Sequence, residues 1–109
     1  MTNIEPGDFW VANITFTNGL GSKKRPILVL WSDEEDVIVA VVTSAKPRTI
    51  TDIPLQQWQG SSLKVPPTVR LSRLDSLEKS LLIAKIGHIH PQDAQNVLTI
   101  WNTYIKPQF

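Results

Sequence analysis

Cysteine is absent from the 109 residues, which excludes a disulfide framework, a thiolate nucleophile and a Cys-ligated zinc. A cytoplasmic protein is the simplest reading of that absence. No apolar run approaches the ~20 residues needed to span a bilayer. The N-terminal Met1-Thr-Asn-Ile-Glu-Pro-Gly-Asp8 has neither the basic nor the apolar region of a signal peptide, so neither export nor a membrane partner is expected. Charge of one sign is not in excess either. Eleven Lys and Arg oppose ten Asp and Glu, for a formal net charge of +1, and charged residues make up only 19%, below the ~25% of ordinary globular chains. Wholesale disorder and a histone-like basic protein are thereby excluded. A chain this short has no room for two cores, so residues 1–109 are read as one domain.

Apolar residues occupy 41% of positions, and eight prolines and five glycines are scattered at short intervals. That punctuation predicts several short strands and one helix at most. Residues 8–15 carry apolar side chains at both odd and even positions (Phe9, Val11; Trp10, Ala12, Ile14), a first strand with both faces covered. Residues 16–24, with two glycines and two lysines, read as a basic loop. Ile27 to Trp31 and Val37 to Val42 flank the acidic run Asp33 to Asp36 and form a β-hairpin. Centring its turn on Glu34 and Glu35 makes paired positions sum to about 69, good to a couple of residues, which sets Arg25 and Pro26 against Ser44 and Thr43. Lys46-Pro47-Arg48 breaks the chain before a weaker strand over 49–55. A polar loop then holds Trp58. Thr68 to Leu74 is a further strand, Asp75 to Lys79 a single helical turn, and Leu81 to Ile89 another strand. Ala94, Val97, Leu98, Trp101 and Ile105 at 3,4-spacing after Pro91 predict a C-terminal amphipathic helix. The expected architecture is mainly β: a small twisted antiparallel barrel closed or flanked by that helix.

The basic residues fall in the middle of the chain: Lys23, Lys24, Arg25, Lys46, Arg48, Lys64, Arg70 and Arg73. The acids there gather mainly at the hairpin tip, at the far end from Arg25. A near-zero sum therefore conceals a positive face of the kind that meets phosphates. Trp10, Trp31 and Trp58 are candidate stacking platforms for unpaired bases; the competing reading is a solvated Lys/Arg surface over tryptophans in the core. Arg25 beside Thr43 and Ser44 is the sharper constellation, because cleavage of a phosphodiester by the ribose 2′-hydroxyl needs a dianionic phosphorane stabilised, and guanidinium and hydroxyl groups do that. Arg70 and Ser72, two apart on one strand face, could reach the same cleft. A strand-edge gatekeeper at Arg25 and a β-former at Thr43 remain the alternative. His88 and His90 share a face but lack further ligands for a closed metal site, so no metal and no cofactor is expected. Gly19-Leu-Gly21 precedes a strand rather than a helix, which leaves a phosphate-binding glycine loop unsupported.

Gly7-Asp8-Phe9-Trp10-Val11, then Lys24-Arg25-Pro26-Ile27-Leu28-Val29-Leu30, then Ala40-Val41-Val42-Thr43-Ser44, resemble the PemK/MazF toxin family in order and spacing. Asp52-Ile53-Pro54-Leu55, Trp58, Pro67-Thr68-Val69-Arg70-Leu71 and residues 77–87 extend the resemblance over almost the whole chain. It implies a src-homology-3-like antiparallel barrel of the CcdB/PemK type with a C-terminal helix. It further implies a homodimer, an antitoxin partner and metal-independent cleavage of single-stranded RNA, commonly mRNA. Carried over residue by residue, the family's Arg-Pro arginine falls on Arg25 and its strand-end threonine on Thr43, with Ser44 adjacent. In the branch with a Val-Arg-x-Asp segment the arginine falls on Arg70, and the aspartate's place is taken by Ser72. The catalytic assignment is thus Arg25, Thr43 and Arg70. Lys23, Lys24, Ser44, Arg48, Ser72, Trp10 and Trp58 are assigned to substrate binding. A CcdB-like binder that acts on a protein target is the competing function class.

Overall fold

The computed structural model describes residues 3–15, 21–60 and 63–109. Among the described residues six strands, β1 (Asp8–Thr15), β2 (Ser22–Asp33), β3 (Asp36–Thr43), β4 (Asp52–Pro54), β5 (Thr68–Glu78) and β6 (Leu82–His88), precede one α-helix, α1 (Pro91–Ile100). Every strand pairing is antiparallel, and the order across the sheet is β4-β5-β3-β2-β1-β6. The mainly β architecture with a C-terminal helix is as expected. The ladder does not close, however, since β4 and β6 remain its two edges.

Alternation along the strands sorts the apolar residues onto two faces. Phe9, Leu28, Ala40, Val42, Val69 and Leu71 form one cluster with Val97 of α1, while Trp10, Ala12, Ile27, Val29, Val37, Val39 and Leu77 form the other. Both faces of β1 are therefore buried, as its sequence predicts. Pro91 opens α1 at a position whose N–H would be unpaired anyway, and the His90 side chain caps it by accepting the Gln92 N–H at 3.1 Å. A wider turn over Trp101–Ile105 continues the helix, with Lys106 N–H donating to Trp101 C=O.

Four boundaries differ from expectation, each for a local reason. Lys23 and Lys24 lie within β2 opposite Ile14 and Asn13 rather than in a loop; residues 16–20 of that loop, including Gly19, lie outside the described residues, as do 61 and 62. The fourth strand is shortened to Asp52–Pro54 because the chain turns just before it, the Asp52 N–H donating to the Thr49 C=O at 3.1 Å. Residues 75–78, expected to be helical, extend β5 because Asp36 to Val39 of β3 offer them a partner, Asp36 pairing with Glu78. Only Lys79–Leu81 makes a 3₁₀ turn. Finally, the hairpin pairs at a sum of 69 near its tip (Asp33 with Asp36) but at 68 beyond a bulge at Leu30 (Ile27 with Val41). One extra residue on β2 shifts everything below it by one place.

Candidate functional site

The ladder between β2 and β3 ends at Ile27 and Val41, where Pro26 has no N–H to carry it further. Beyond that point the two strands become the walls of a cleft of about 230 Å³ lined by Lys23, Lys24, Arg25, Pro26, Val42, Thr43 and Ser44. Leu63, Lys64, Val65 and Pro67 complete it from the segment before β5. Continuing the register past Ile27 and Val41 sets Arg25 opposite Thr43, one place from the Ser44 partner that the turn arithmetic predicts. Four cations and no carboxylate line this cleft, and Arg25 makes no ion pair among the described residues. Bringing like charges together is tolerable only in contact with water, where a pair 4 Å apart repels by ~1 kcal/mol. A phosphate would relieve that repulsion. Thr43 Oγ1 accepts the Ala45 N–H at 3.2 Å, which fixes the oxygen and leaves its hydroxyl proton available to donate.

Arg70 stands on the neighbouring row of the same sheet face. It pairs with Val41 as Thr68 pairs with Thr43, and its Nε lies 3.4 Å from Oδ1 of Asp52 on β4. The other oxygen of Asp52 accepts the Arg48 N–H at 2.9 Å. Arg48 itself is exposed on the loop before β4 and does not line the cleft, and Ser72 is exposed in a bulge of β5. Trp58 is half-buried and lines a different cleft, with Gln57, His88 and His90.

Trp10 requires a correction. Its side chain is only 4% exposed inside the second cluster, and its indole N–H donates to Asp8 Oδ2 at 3.4 Å. Swinging it out would empty an aromatic core site at ~3–5 kcal/mol, more than the ~1–3 kcal/mol that a stacked base returns. Trp10 is a core residue, not a binding platform. Trp31 is 42% exposed and meets Trp101 edge to face at 5.7 Å.

The sequence reading missed three buried carboxylates. Asp8 is fully buried and receives His88 Nδ1 at 2.8 Å, the Glu5 N–H at 2.9 Å and Lys85 Nζ at 3.3 Å. Burial alone would raise its pKa; the hydrogen bonds from His88, Glu5, Trp10 and Lys85 outweigh burial and hold it below the ordinary carboxylate value. Asp93, in the first turn of α1, accepts the Gln56 and Gln57 N–H groups, each at 2.9 Å, and so ties the loop after β4 to the helix. Asp52 is the third. His88 and His90 thus have structural partners, and among the described residues no three His, Cys, Asp or Glu side chains converge in a metal-ligating cluster.

The model of the PemK-like, MazF-like toxins of type II toxin–antitoxin systems matches residues 5–102. The chain belongs to this family. Among curated proteins none matches the chain. The PemK/MazF-like chain is similar to a solved endoribonuclease from a mycobacterial species at 15% identity and a TM-score of 0.75, covering 100% of this chain and 97% of that one. It is similar to a mycobacterial endoribonuclease in complex with its cognate antitoxin at 16% and 0.74, covering 96% and 98%. A MazE–MazF structure from Deinococcus radiodurans matches at 17% and 0.75, covering 98% and 100%. At such identities the likeness is one of fold. The cleft between β2 and β3 is where this PemK/MazF-like toxin gathers Arg25, Thr43 and Ser44 with Lys23 and Lys24, the residues that its sequence singles out.

Proposed function

We propose that this toxin is an endoribonuclease that cuts single-stranded RNA in the cytoplasm at the Arg25 cleft, without a metal. The observation that carries the reading is the composition of the cleft: Arg25, Lys23, Lys24 and Lys64 beside the hydroxyls of Thr43 and Ser44, with no acid among its lining residues. In the reaction the ribose 2′-oxygen attacks the adjacent phosphorus and loses its proton. The O2′–P bond forms, the P–O5′ bond breaks, and the departing 5′-oxygen takes up a proton. The products are a 2′,3′-cyclic phosphate and a 5′-hydroxyl. Charge accumulates on the non-bridging oxygens of the phosphorane. Guanidinium donors of Arg25 and hydroxyl donors of Thr43 and Ser44 stabilise it more than the ground state. Lys23, Lys24 and Lys64 hold the strand, and dependence on the 2′-hydroxyl separates RNA from DNA.

The fold likeness to endoribonucleases, one of them solved with its cognate antitoxin, supports an antitoxin partner. An acidic segment suits the cleft. A homodimer is supported by an apolar face where Leu30, Trp31, Leu98 and Trp101 line one groove and Trp31 and Leu98 are 42% and 53% exposed. A second copy would cover it. The test is incubation of the purified protein with a mixed RNA pool in EDTA, followed by mapping of the ends. Discrete cuts ending in cyclic phosphate and 5′-hydroxyl are expected. Intact RNA, together with tight capture of a protein target, overturns the reading in favour of a non-catalytic binder.

A further inference from the structure

We propose that Asp52 is the positioning residue for a second guanidinium at the scissile phosphate, that of Arg70, an inference that rests on the endoribonuclease reading. Asp52 and Arg70 are direct partners across β4 and β5. From Arg70 the row continues through Val41 to Ile27, and the next row on the same face holds Thr68, Thr43 and, by extension of the register, Arg25. Between these rows the β3–β5 ladder is regular, so Arg70 and Thr43 are diagonal neighbours ~7–8 Å apart at the backbone, within reach of a long side chain, and Arg25 stands one strand further on, across Thr43 on β2.

The ion pair holds one edge of the guanidinium and leaves the other. Oδ1 of Asp52 takes Nε of Arg70 at 3.4 Å, so the donors of the two Nη groups remain for an anion. Asp52 is itself immobile. Its side chain is 2% exposed, Oδ2 accepts the Arg48 N–H at 2.9 Å, and its own N–H donates to Thr49 C=O. Arg73, three residues further along β5, is exposed and has no ion pair among the described residues. On β5, Ser72 supplies no charge to hold either arginine. The carboxylate that orders Arg70 therefore comes from the adjacent strand. An arginine ordered before the substrate arrives loses no rotamer freedom in the transition state, and misplacement of such a group is felt in turnover rather than in binding.

The experiment compares steady-state cleavage of an RNA oligonucleotide cut by the wild type among Asp52→Asn, Arg70→Ala, the double variant and Arg70→Lys. Asparagine keeps an acceptor for the Arg48 N–H and loses the charge. A fall in kcat of about tenfold or more with KM within about twofold is expected for Asp52→Asn. The double variant should be no slower than Arg70→Ala alone, and Arg70→Lys, which lacks the Nε edge, should be as slow as Arg70→Ala. Independent, multiplying losses in the double variant, a change in KM alone, or full activity of Asp52→Asn overturn the assignment. Should Asp52→Asn not fold, as judged by its circular-dichroism melt, Arg70→Lys decides: wild-type kcat there overturns the inference. A wild-type protein that cleaves no RNA removes the endoribonuclease reading and this inference with it. Wild-type cleavage with an unaffected Asp52→Asn removes the inference alone.

Discussion

Around the junction of β6 and α1, the buried carboxylates Asp8 and Asp93 are each filled with donors; at the cleft between β2 and β3, Lys23, Lys24, Arg25 and Lys64 share one surface without a counterion among the described residues. The first region has spent its charges on holding segments together. Asp8 connects the start of β1 to the end of β6, 80 residues away, and Asp93 connects α1 to the loop after β4. The second region leaves its charges available to something that arrives from solution. On the proposed reading stability and function separate in space, and substitutions in the two regions should move different observables.

The largest effect is expected at the cleft. Arg25→Ala removes the guanidinium beside Thr43, and loss of one such transition-state donor lowers kcat by about 10²–10³-fold. The melting temperature should stay within a few degrees of the wild type, because Arg25 has no ion partner among the described residues to abandon. Rate measurements on a single-stranded RNA and a thermal melt of the same preparation check both halves. An active Arg25→Ala protein, or one that is slow only because it is unfolded, breaks the contrast.

Asp93→Ala is the reciprocal test. It leaves two N–H groups of a partly buried loop without an acceptor, and such a loss costs about 2–4 kcal/mol. At about 4–8 °C per kcal/mol for a domain of this size, the melting temperature should fall by at least about 8 °C. Below that melt, cleavage per folded molecule should remain within about twofold of the wild type.

Asp8 adds a pH dependence. Its carboxyl titrates below the unfolded value of 3.8, so the stability it contributes is complete above about pH 4 and is lost as the pH falls through the lower native pKa. Denaturant midpoints should be flat from pH 7 to about pH 5 and decline below about pH 4. Asp8→Asn should reduce that acid-side slope and lower stability at pH 7 by about 1–3 kcal/mol. A variant with the same acid limb as the wild type assigns the slope to other groups.

These two regions were unequally legible in the sequence. Arg25 and Thr43 could be brought together because a hairpin is local: apolar runs on either side of Asp33 to Asp36 set the partner of every residue to within one place. The remaining error came from Leu30, an extra residue hidden in the uninterrupted apolar run Ile27 to Trp31, where no alternation marks a bulge. Nothing in the sequence singles out Asp8, Asp52 and Asp93 as buried acids, because their partners, His88, Arg70 and Gln56, are 80, 18 and 37 residues distant. Only the turn residues Pro6-Gly7 before Asp8 and Pro91 before Asp93 hinted that these acids sit at structural junctions. Tryptophan identity alone could not separate Trp10, closed in the core, from Trp31, which is 42% exposed, since both roles use the same side chain.

The smallest effect is expected at the acidic hairpin tip, eight residues along β2 from Arg25 and so ~27 Å away at ~3.4 Å per residue. That is more than three times the ~8 Å screening length at physiological salt, so the tip neither neutralises the cleft nor tunes it. Its own problem is local. Glu34 has φ +58° in a two-residue turn, a conformation that strains a side chain other than glycine by ~1–2 kcal/mol. Glycine relieves that strain while adding ~0.5–1 kcal/mol of unfolded-state entropy, so Glu34→Gly should stabilise by about 0.5–1 kcal/mol. The expected readout is a rise in melting temperature of about 2–8 °C with the RNA cleavage rate unchanged. A lower melting temperature would show that the turn draws stability from the Glu34 side chain. A changed cleavage rate would show that the two ends of the sheet are coupled after all.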